Sequence, residues 1–375
     1  MTRAGVRTSA AAVSGYDADP EVAPLLCSAV CGFDAPDVVL AHSQHGRRTV
    51  VTGGTGPAAP GTPREALRYE IGSASKTLTG LLLADLSLRG ELELDDRALD
   101  HLPAPHAHRH SHLHRHPHPD ARPHPHLSAV TLLHLVTHTA GLPRLPWDFY
   151  PQALPHWRTN PYAGYSRERL LAAFARSRPR HPPGRRWHYS NFGAALLGPA
   201  LSGAAGSPYE RLLSRHIFEP LGLWETGTVP LGAGKDATGH AGDGVTALPP
   251  FDAGGFFASG AVRATPGDLL SYLEAHLSPG DAPPGLRAAL REVQKPVLRR
   301  GLGYRHTHTL SWFRHPTDEG PLYFHSGATM GQETFLGFRP ATGTALVALA
   351  TRRYTRSRAL GPTAYRLLTG RSPGA

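Results

Sequence analysis

The 375-residue sequence predicts an α+β fold in which strands from both ends of the chain form a discontinuous antiparallel sheet. Helices from the middle of the chain complete it. Two observations place the strands. Val38–Ser43 and Arg48–Thr52 are short β-prone runs on either side of Gln44-His45-Gly46, and Glu333–Phe338 and Thr344–Thr351 flank Pro340-Ala341-Thr342-Gly343. Both patterns are hairpin signals. A third observation places the helices: from residue 73 to about residue 290 the sequence is helical and turn-rich. The expected layout is one domain over residues 20–370. Its α/β part is 20–72 plus 295–370, its helical part is 73–294, and 104–126 is an exposed insert.

Residues 1–20 read as a loose lead-in, followed by a short apolar helix over Glu21–Phe33. Cys27 and Cys31 are spaced i, i+4 there, and two cysteines cannot build a disulfide framework or a four-ligand zinc site; both are expected to be small core residues. After the first hairpin, Gly53–Pro63 is a Gly/Pro loop. Its Gly54-Thr55-Gly56 fragment leads to Pro57 and Pro60 rather than to a helix, so a dinucleotide-binding reading fails. Gly72 precedes a helical run from Ser73 to Arg89 that Gly90 stops. From Leu78 to Ala84 this helix is apolar or small on every side, the mark of a buried helix.

Residues 101–126 carry ten of the 24 histidines, interrupted by Pro103, Pro105, Pro117, Pro119, Pro123 and Pro125. Proline at that density forbids a regular helix or a central strand, so an exposed loop is expected. Adjacent imidazoles can capture zinc, nickel or copper, but a flexible tract with only Asp120 nearby offers no fixed coordination sphere, and no metal is assigned. His134 and His138 share the spacing of a metalloprotease helix but lack the glutamate after the first histidine, so they read as a structural helix end before Gly141-Leu142-Pro143. The later elements are an apolar helix over Phe192–Ala200, the second hairpin and a helical tail.

Composition narrows the function. Hydrophobic residues are 40% and charged residues 18% of the chain, which is globular rather than disordered. No run of 18 apolar residues exists, so no transmembrane helix is expected. Ala10–Val13 is too short for a signal-peptide core, so a cytoplasmic location follows. The formal charge of +10 comes from arginines spread in ones and twos, with only three lysines, Lys76, Lys235 and Lys295. Without a basic helix or interleaved aromatics, neither nucleic acid nor a membrane is expected as a partner. Nothing indicates the oligomeric state.

The scarcity of lysine gives Ser73-Ala74-Ser75-Lys76 its interest. A serine in the first turn of a helix lies beside free backbone N–H groups and the positive helix end, which favour a developing oxyanion. A lysine three residues on shares its face. If buried, its ammonium is costly, and the neutral amine can take the serine proton. The competing reading is a lysine that snorkels to solvent. Tyr189-Ser190-Asn191, ahead of an apolar helix, offers a phenol as proton shuttle, with its phenolate accessible beside an ammonium, and an amide for a substrate; alone it could be a capping turn. His325-Ser326-Gly327 ends a strand-like run, where Gly327 would let a ligand approach. The N–H groups of Ala328 and Ser73 would then form an oxyanion hole; alone it could be a plain strand end. No Gly-x-Ser-x-Gly elbow is present.

Taken in order, Ser-x-x-Lys, Tyr-Ser-Asn and His-Ser-Gly resemble the class C β-lactamase and D-alanyl-D-alanine carboxypeptidase superfamily of serine hydrolases. The flanks YEIGSASKTLTG, LLHLVTHTAGLP, PGRRWHYSNFGAALLG, IFEPLGL and HSGATMGQETFLGF are similar too, and the likeness runs from about Asp37 to Thr351. The resemblance implies a β-lactamase/transpeptidase-like fold with the cleft between sheet and helical parts. It implies Ser73 as nucleophile, Lys76 and Tyr189 as acid/base pair, Asn191, His325, Gly327 and Ala328 on the substrate side, and no cofactor. His325 stands where true β-lactamases commonly carry lysine, which is closer to the carboxypeptidase, D-aminopeptidase and esterase branches. The expected function is hydrolysis of a small amide, ester or D-amino-acid peptide through an acyl-enzyme. A transacylase passing the acyl group to an amine or alcohol is the alternative, and a non-catalytic binder or a true β-lactamase comes third.

Overall fold

A computed structural model describes residues 9–14, 18–57, 61–103, 124–179, 181–300 and 306–369. The strands are β1 (Ser9–Ser14), β2 (Val38–Gln44), β3 (Arg47–Gly54), β4 (Tyr69–Glu70), β5 (Arg263–Ala264), β6 (Leu298–Arg300), β7 (His306–His308), β8 (Phe313–Thr317), β9 (Gly320–Ala328), β10 (Glu333–Arg339) and β11 (Thr344–Ala350). The helices that build the core and the site are α1 (Val22–Cys31), α2 (Ser75–Leu88), α3 (Leu132–Val136), α4 (Phe149–Ala153), α5 (Asn191–Ala205), α6 (Phe257–Gly260), α7 (Pro266–Leu277) and α8 (Leu360–Leu368).

Among the described residues, nine strands form one sheet in the order β1-β3-β2-β11-β10-β9-β8-β7-β6, and β4 pairs separately with β5. Every pairing is antiparallel, so the α+β class read from the sequence holds. The two hairpins meet in the centre, where β2 lies against β11 with Leu40 opposite Ala348. Val38–Ala41 of β2 and Ala345–Ala350 of β11 are apolar at successive positions because both sheet faces are covered there: α1 and α8 pack on one, α7 on the other.

Four expectations are corrected. The lead-in contains β1, which pairs with β3 and forms one edge of the sheet; a run as short as Ser-Ala-Ala-Ala-Val-Ser carries little strand signal by itself. Helix α7, expected in the helical part, packs on β2 and β11, because Leu269, Leu270, Leu273 and Tyr272 give it a buried face. Cys31 is exposed and Cys27 half-buried, both as free thiols; Leu26 and Val30 take the core positions of α1. Of the insert expected over 104–126, residues 104–123 lie outside the described residues, while Pro125 and His126 open a short helix, Pro125–Ser128, rather than continue a loop. His101 is hydrogen-bonded to Asp96 (2.8 Å), and His126 to the Pro179 carbonyl (3.1 Å).

Helix α2 runs through the middle of the molecule with every residue from Ser75 to Leu86 buried. Helices α5 and α6 pack against it. Among the described residues no helix is long and apolar enough to cross a membrane, and no group of three or more His, Cys, Asp or Glu could hold a metal ion.

Candidate active site

The site forms where the start of α2 meets the end of β9. Gly72 has φ +48° and leads a 3₁₀ turn over Gly72–Ala74 into α2. A Cβ at Gly72 would fall 2.6 Å from the Ala328 carbonyl oxygen, and one at Gly327 would fall 1.9 Å from that of Ile71. The turn carrying Ser73 and the strand carrying Ala328 are therefore packed backbone to backbone, with glycine required on both sides. This corrects the reason expected for Gly327: its missing side chain admits the chain's own Ile71–Ala74 turn rather than a ligand. Strand β9 does offer a local free edge, since its pairing with β8 ends at Phe324 opposite Phe313, leaving His325–Ala328 bonded only to β10.

Ser73 is half-buried and borders an open cavity of about 120 Å³. Lys76 is 4% exposed. Its Nζ donates to Ser73 Oγ at 3.1 Å and to the Ser259 carbonyl, at the end of α6, at 2.8 Å. No carboxylate forms an ion pair with it among the described residues. Burial, reinforced by the charge of Arg144, holds its pKa well below the usual lysine range. The snorkelling alternative is thereby excluded.

Tyr189 sits just before the N-cap of α5. Ser190 Oγ accepts from the Gly193 N–H at 2.9 Å and donates to the Pro143 carbonyl at 2.6 Å, which fixes the turn that presents the phenol. Lys76 Nζ lies 5.2 Å from the centre of the Tyr189 ring. Burial raises the pKa of the phenol, outweighing its polar neighbour Ser73 and the Arg144 charge. The expectation of an accessible phenolate is corrected: burial keeps the proton on the phenol, and it is the amine that burial pushes toward its uncharged, proton-accepting form.

Asn191 opens α5 and is 8% exposed. Its Oδ1 is buried with no hydrogen-bond partner among the described residues. Ser73, Tyr162, Asn191, Phe251, Ala328 and Met330 line the cavity. His325 projects from β9 and is 2% exposed; burial, with the Lys76 charge next, lowers its pKa to about 3. It is neutral at pH 7 and brings no cationic charge to the cleft.

The structure thus places Ser73, Asn191 and Ala328 on one cavity, with Lys76 hydrogen-bonded to Ser73, the Tyr189 ring 5.2 Å from the Lys76 amine, Gly327 packed against the turn that carries Ser73, and His325 within reach of the Lys76 charge. It also recruits residues that the sequence reading left out. His138, taken there as a helix end, is buried with φ +59°; its Nδ1 accepts from the Ser190 N–H at 3.3 Å and its ring lies 4.5 Å from that of Tyr189. Trp187 stands 6.4 Å from Tyr189 with the Arg300 guanidinium 3.6 Å above its ring. Arg300 donates to His308 Nε2 at 2.9 and 3.0 Å. Below the cavity, buried Glu70 accepts from the Phe251 N–H (2.7 Å) and Thr329 Oγ1 (2.6 Å) and pairs with Arg263 (3.2 Å). An acid set in the apolar run Tyr69-Glu70-Ile71 was the available signal for Glu70. Arg300 and Trp187 had none.

Comparison with known proteins agrees with this architecture. The family model described as Beta-lactamase matches residues 28–370. A Beta-lactamase from Pseudomonas fluorescens is 24% identical over 320 residues, 76% of this chain and 80% of the relative. The D-alanyl-D-alanine-carboxypeptidase/endopeptidase AmpH of Escherichia coli K12 is 27% identical over 284 residues, 73% of this chain and 68% of the relative. Among solved structures, a class C beta lactamase from Rhodobacter sphaeroides superposes with a TM-score of 0.72 at 22% identity, covering 94% of this chain and 99% of the other.

Proposed function

The chain belongs to the beta-lactamase family of serine hydrolases, and from that premise we propose that it cleaves a small amide, ester or D-amino-acid peptide through an acyl-enzyme on Ser73. The observation that carries this reading is the amine of Lys76, buried without a carboxylate and 3.1 Å from Ser73 Oγ.

In this mechanism the substrate carbonyl lies between Ser73 and Ala328, with its acyl portion in the cavity bordered by Tyr162, Asn191 and Phe251. Ser73 Oγ attacks the carbonyl carbon and its proton passes to neutral Lys76. The oxygen that gains charge is received by the N–H groups of Ser73 and Ala328; removing one such donor costs about 3 kcal/mol of transition-state stabilisation in other serine enzymes. Tyr189 gives its proton to the departing amine or alkoxide and is reprotonated from Lys76, so the acyl–leaving-group bond breaks with charge balanced. Water then adds to the ester carbonyl, loses a proton through the same pair, and frees the acid and Ser73. Asn191 borders the cavity and brings a side-chain amide to the acyl portion of the substrate.

Neutral His325 makes a substrate carboxylate a poor partner for that position, so the reading favours esters and peptides over penicillin-like acids. Intact mass after treatment with a fluorophosphonate, followed by peptide mapping, tests the nucleophile. One adduct on Ser73 is expected, absent in Ser73→Ala, and an adduct elsewhere would overturn the assignment. Product analysis with and without added amines or alcohols tests water as acceptor; free acid should dominate in both cases.

A further inference from the structure

We propose that the segment around α4 is a docking surface for an anionic lipid bilayer, held by aromatic side chains and unpaired arginines. Residues 147–157 follow one helical path through α4 and the 3₁₀ turn Leu154–His156, with Asp148 and Leu154 in right-handed helical conformation. On such a path Trp147, Tyr150, Leu154 and Trp157, spaced by three, four and three residues, fall within one narrow arc. All four face solvent, at 65%, 46%, 70% and 49% exposure. The opposite side, Phe149 and Ala153, is buried, and Phe149 packs on Tyr162, Tyr165 and Phe256. The stripe is thus the outer face of a firmly anchored segment. Large apolar side chains occur singly on ordinary surfaces; four on one arc mark a contact surface.

Charge selects the occupant. Residues 144–178 contain six arginines and two acidic residues. Asp148 is occupied by the Tyr165 hydroxyl at 2.7 Å, Arg176 at 3.5 Å and Arg169 at 3.9 Å, and Glu168 by Arg167 at 3.8 Å. Arg144 turns its guanidinium toward the Tyr189 ring at 5.7 Å, whereas Arg158 and Arg178 are exposed and have no carboxylate partner among the described residues. Tryptophan and tyrosine favour the headgroup level of a bilayer, and each arginine near an anionic surface adds about 1 kcal/mol of attraction. A second copy of this chain would bring the same uncompensated cations face to face and repel. Neither composition nor apolar runs point to a membrane, because the stripe exists only once residues 147–157 are wound into one path. The inference is independent of the chemistry at Ser73.

Co-sedimentation with vesicles of phosphatidylcholine, and of phosphatidylcholine mixed with phosphatidylglycerol, is the test, with tryptophan emission as second readout. The full chain should bind the mixed vesicles with a blue shift, bind the neutral ones weakly, and dissociate as salt is raised. Leu154→Ser and Trp157→Ser should each weaken binding about tenfold through lost apolar burial. Arg158→Ala should weaken it about fivefold, the equivalent of one lost charge contact. Turnover of a water-soluble ester should be unchanged in all three variants. No binding to anionic vesicles at low salt, or binding indifferent to these substitutions, would overturn the proposal. So would a concentration-dependent dimer that Trp157→Ser dissolves, since it would give the stripe to a second copy.

Discussion

The reacting groups stand between two walls built in different ways. One wall is Ser73 and Lys76, supplied by a single tetrapeptide at the start of α2 and aligned by the geometry of one helical turn. The other is Tyr189 with His138, Trp187, Arg300 and His308, brought from the turn before α5, the end of α3 and two strands at the far edge of the sheet. The first is fixed by local covalent spacing and desolvation. The second depends on packing across more than a hundred residues of sequence. Damage to the first should remove chemistry without harming the fold; damage to the second should degrade position, and part of the stability with it.

The largest effect belongs to the first wall. Lys76→Met keeps the length of the side chain and removes the amine. Loss of a positioned base typically costs 10² to 10⁴ in rate, so a fall of about 10³ in kcat/KM is expected. The melting temperature should stay level or rise, because a buried unpaired amine is a cost that methionine does not carry. Tyr189→Phe should lose about 10²-fold with little change in melting, since it deletes only the hydroxyl that shuttles the proton and keeps the ring packed against His138 and Trp187. If Lys76→Met melted well below wild type, the lysine would be a structural element and the comparison would fail.

His138 sharpens the contrast from the other side. It holds Tyr189 through ring contact and Ser190 through the N–H that its Nδ1 accepts. His138→Ala should cost about tenfold in kcat together with about 1–2 kcal/mol of stability, read by urea melts, because the buried Ser190 N–H is left unpaired. His138→Asn retains an acceptor at the same reach and tolerates φ +59°. It should restore most of the stability but not the rate, as the ring against Tyr189 is still missing.

This division also explains what could be read in the sequence. The centre of the sheet, β2, β3, β10 and β11, was legible because each hairpin carries its own turn residues between short β-prone runs, while the edge strands β1 and β6–β8 were not; α2 was legible because apolar residues cover every side of it. Ser73, Lys76, Tyr189, Asn191 and His325 were legible because each lies in a short motif with a chemical reason for its spacing. Tyr162 and Arg300 were not, since each meets its partner across the fold, Asn191 on the same cavity and Trp187 under the guanidinium; Glu70 carried its signal, an acid in an apolar run, but not its partner Phe251. Helix α7 was misplaced for the same reason, because its amphipathic pattern reveals a buried face but not which layer covers it. The phenol of Tyr189 was misjudged because burial, invisible in a tripeptide, outweighs its neighbours.

The smallest expected effect tests the outermost part of the second wall. Arg300 stacks on Trp187 and donates to His308 Nε2. His308 has its pKa lowered to about 3, first by burial and next by the Arg300 charge. Because its folded value lies below that of an unfolded histidine, the neutral form contributes stability that is complete above about pH 6.5 and is lost as pH falls toward the folded value. Arg300→Gln removes the charge and most of the stack while keeping a donor for the imidazole. The His308 pKa should then rise, so the imidazole becomes charged at a higher pH than in the wild type. At pH 8, where it is neutral in either protein, kcat/KM should fall only a few-fold, through the loosened Trp187. As pH is lowered, the variant should lose activity earlier, shifting the acid limb of the pH–rate profile toward neutrality, whereas Lys76→Met should lower the whole profile. An acid limb unmoved by Arg300→Gln would mean that the charge at the sheet edge does not reach the phenol, and the second wall would end at Trp187.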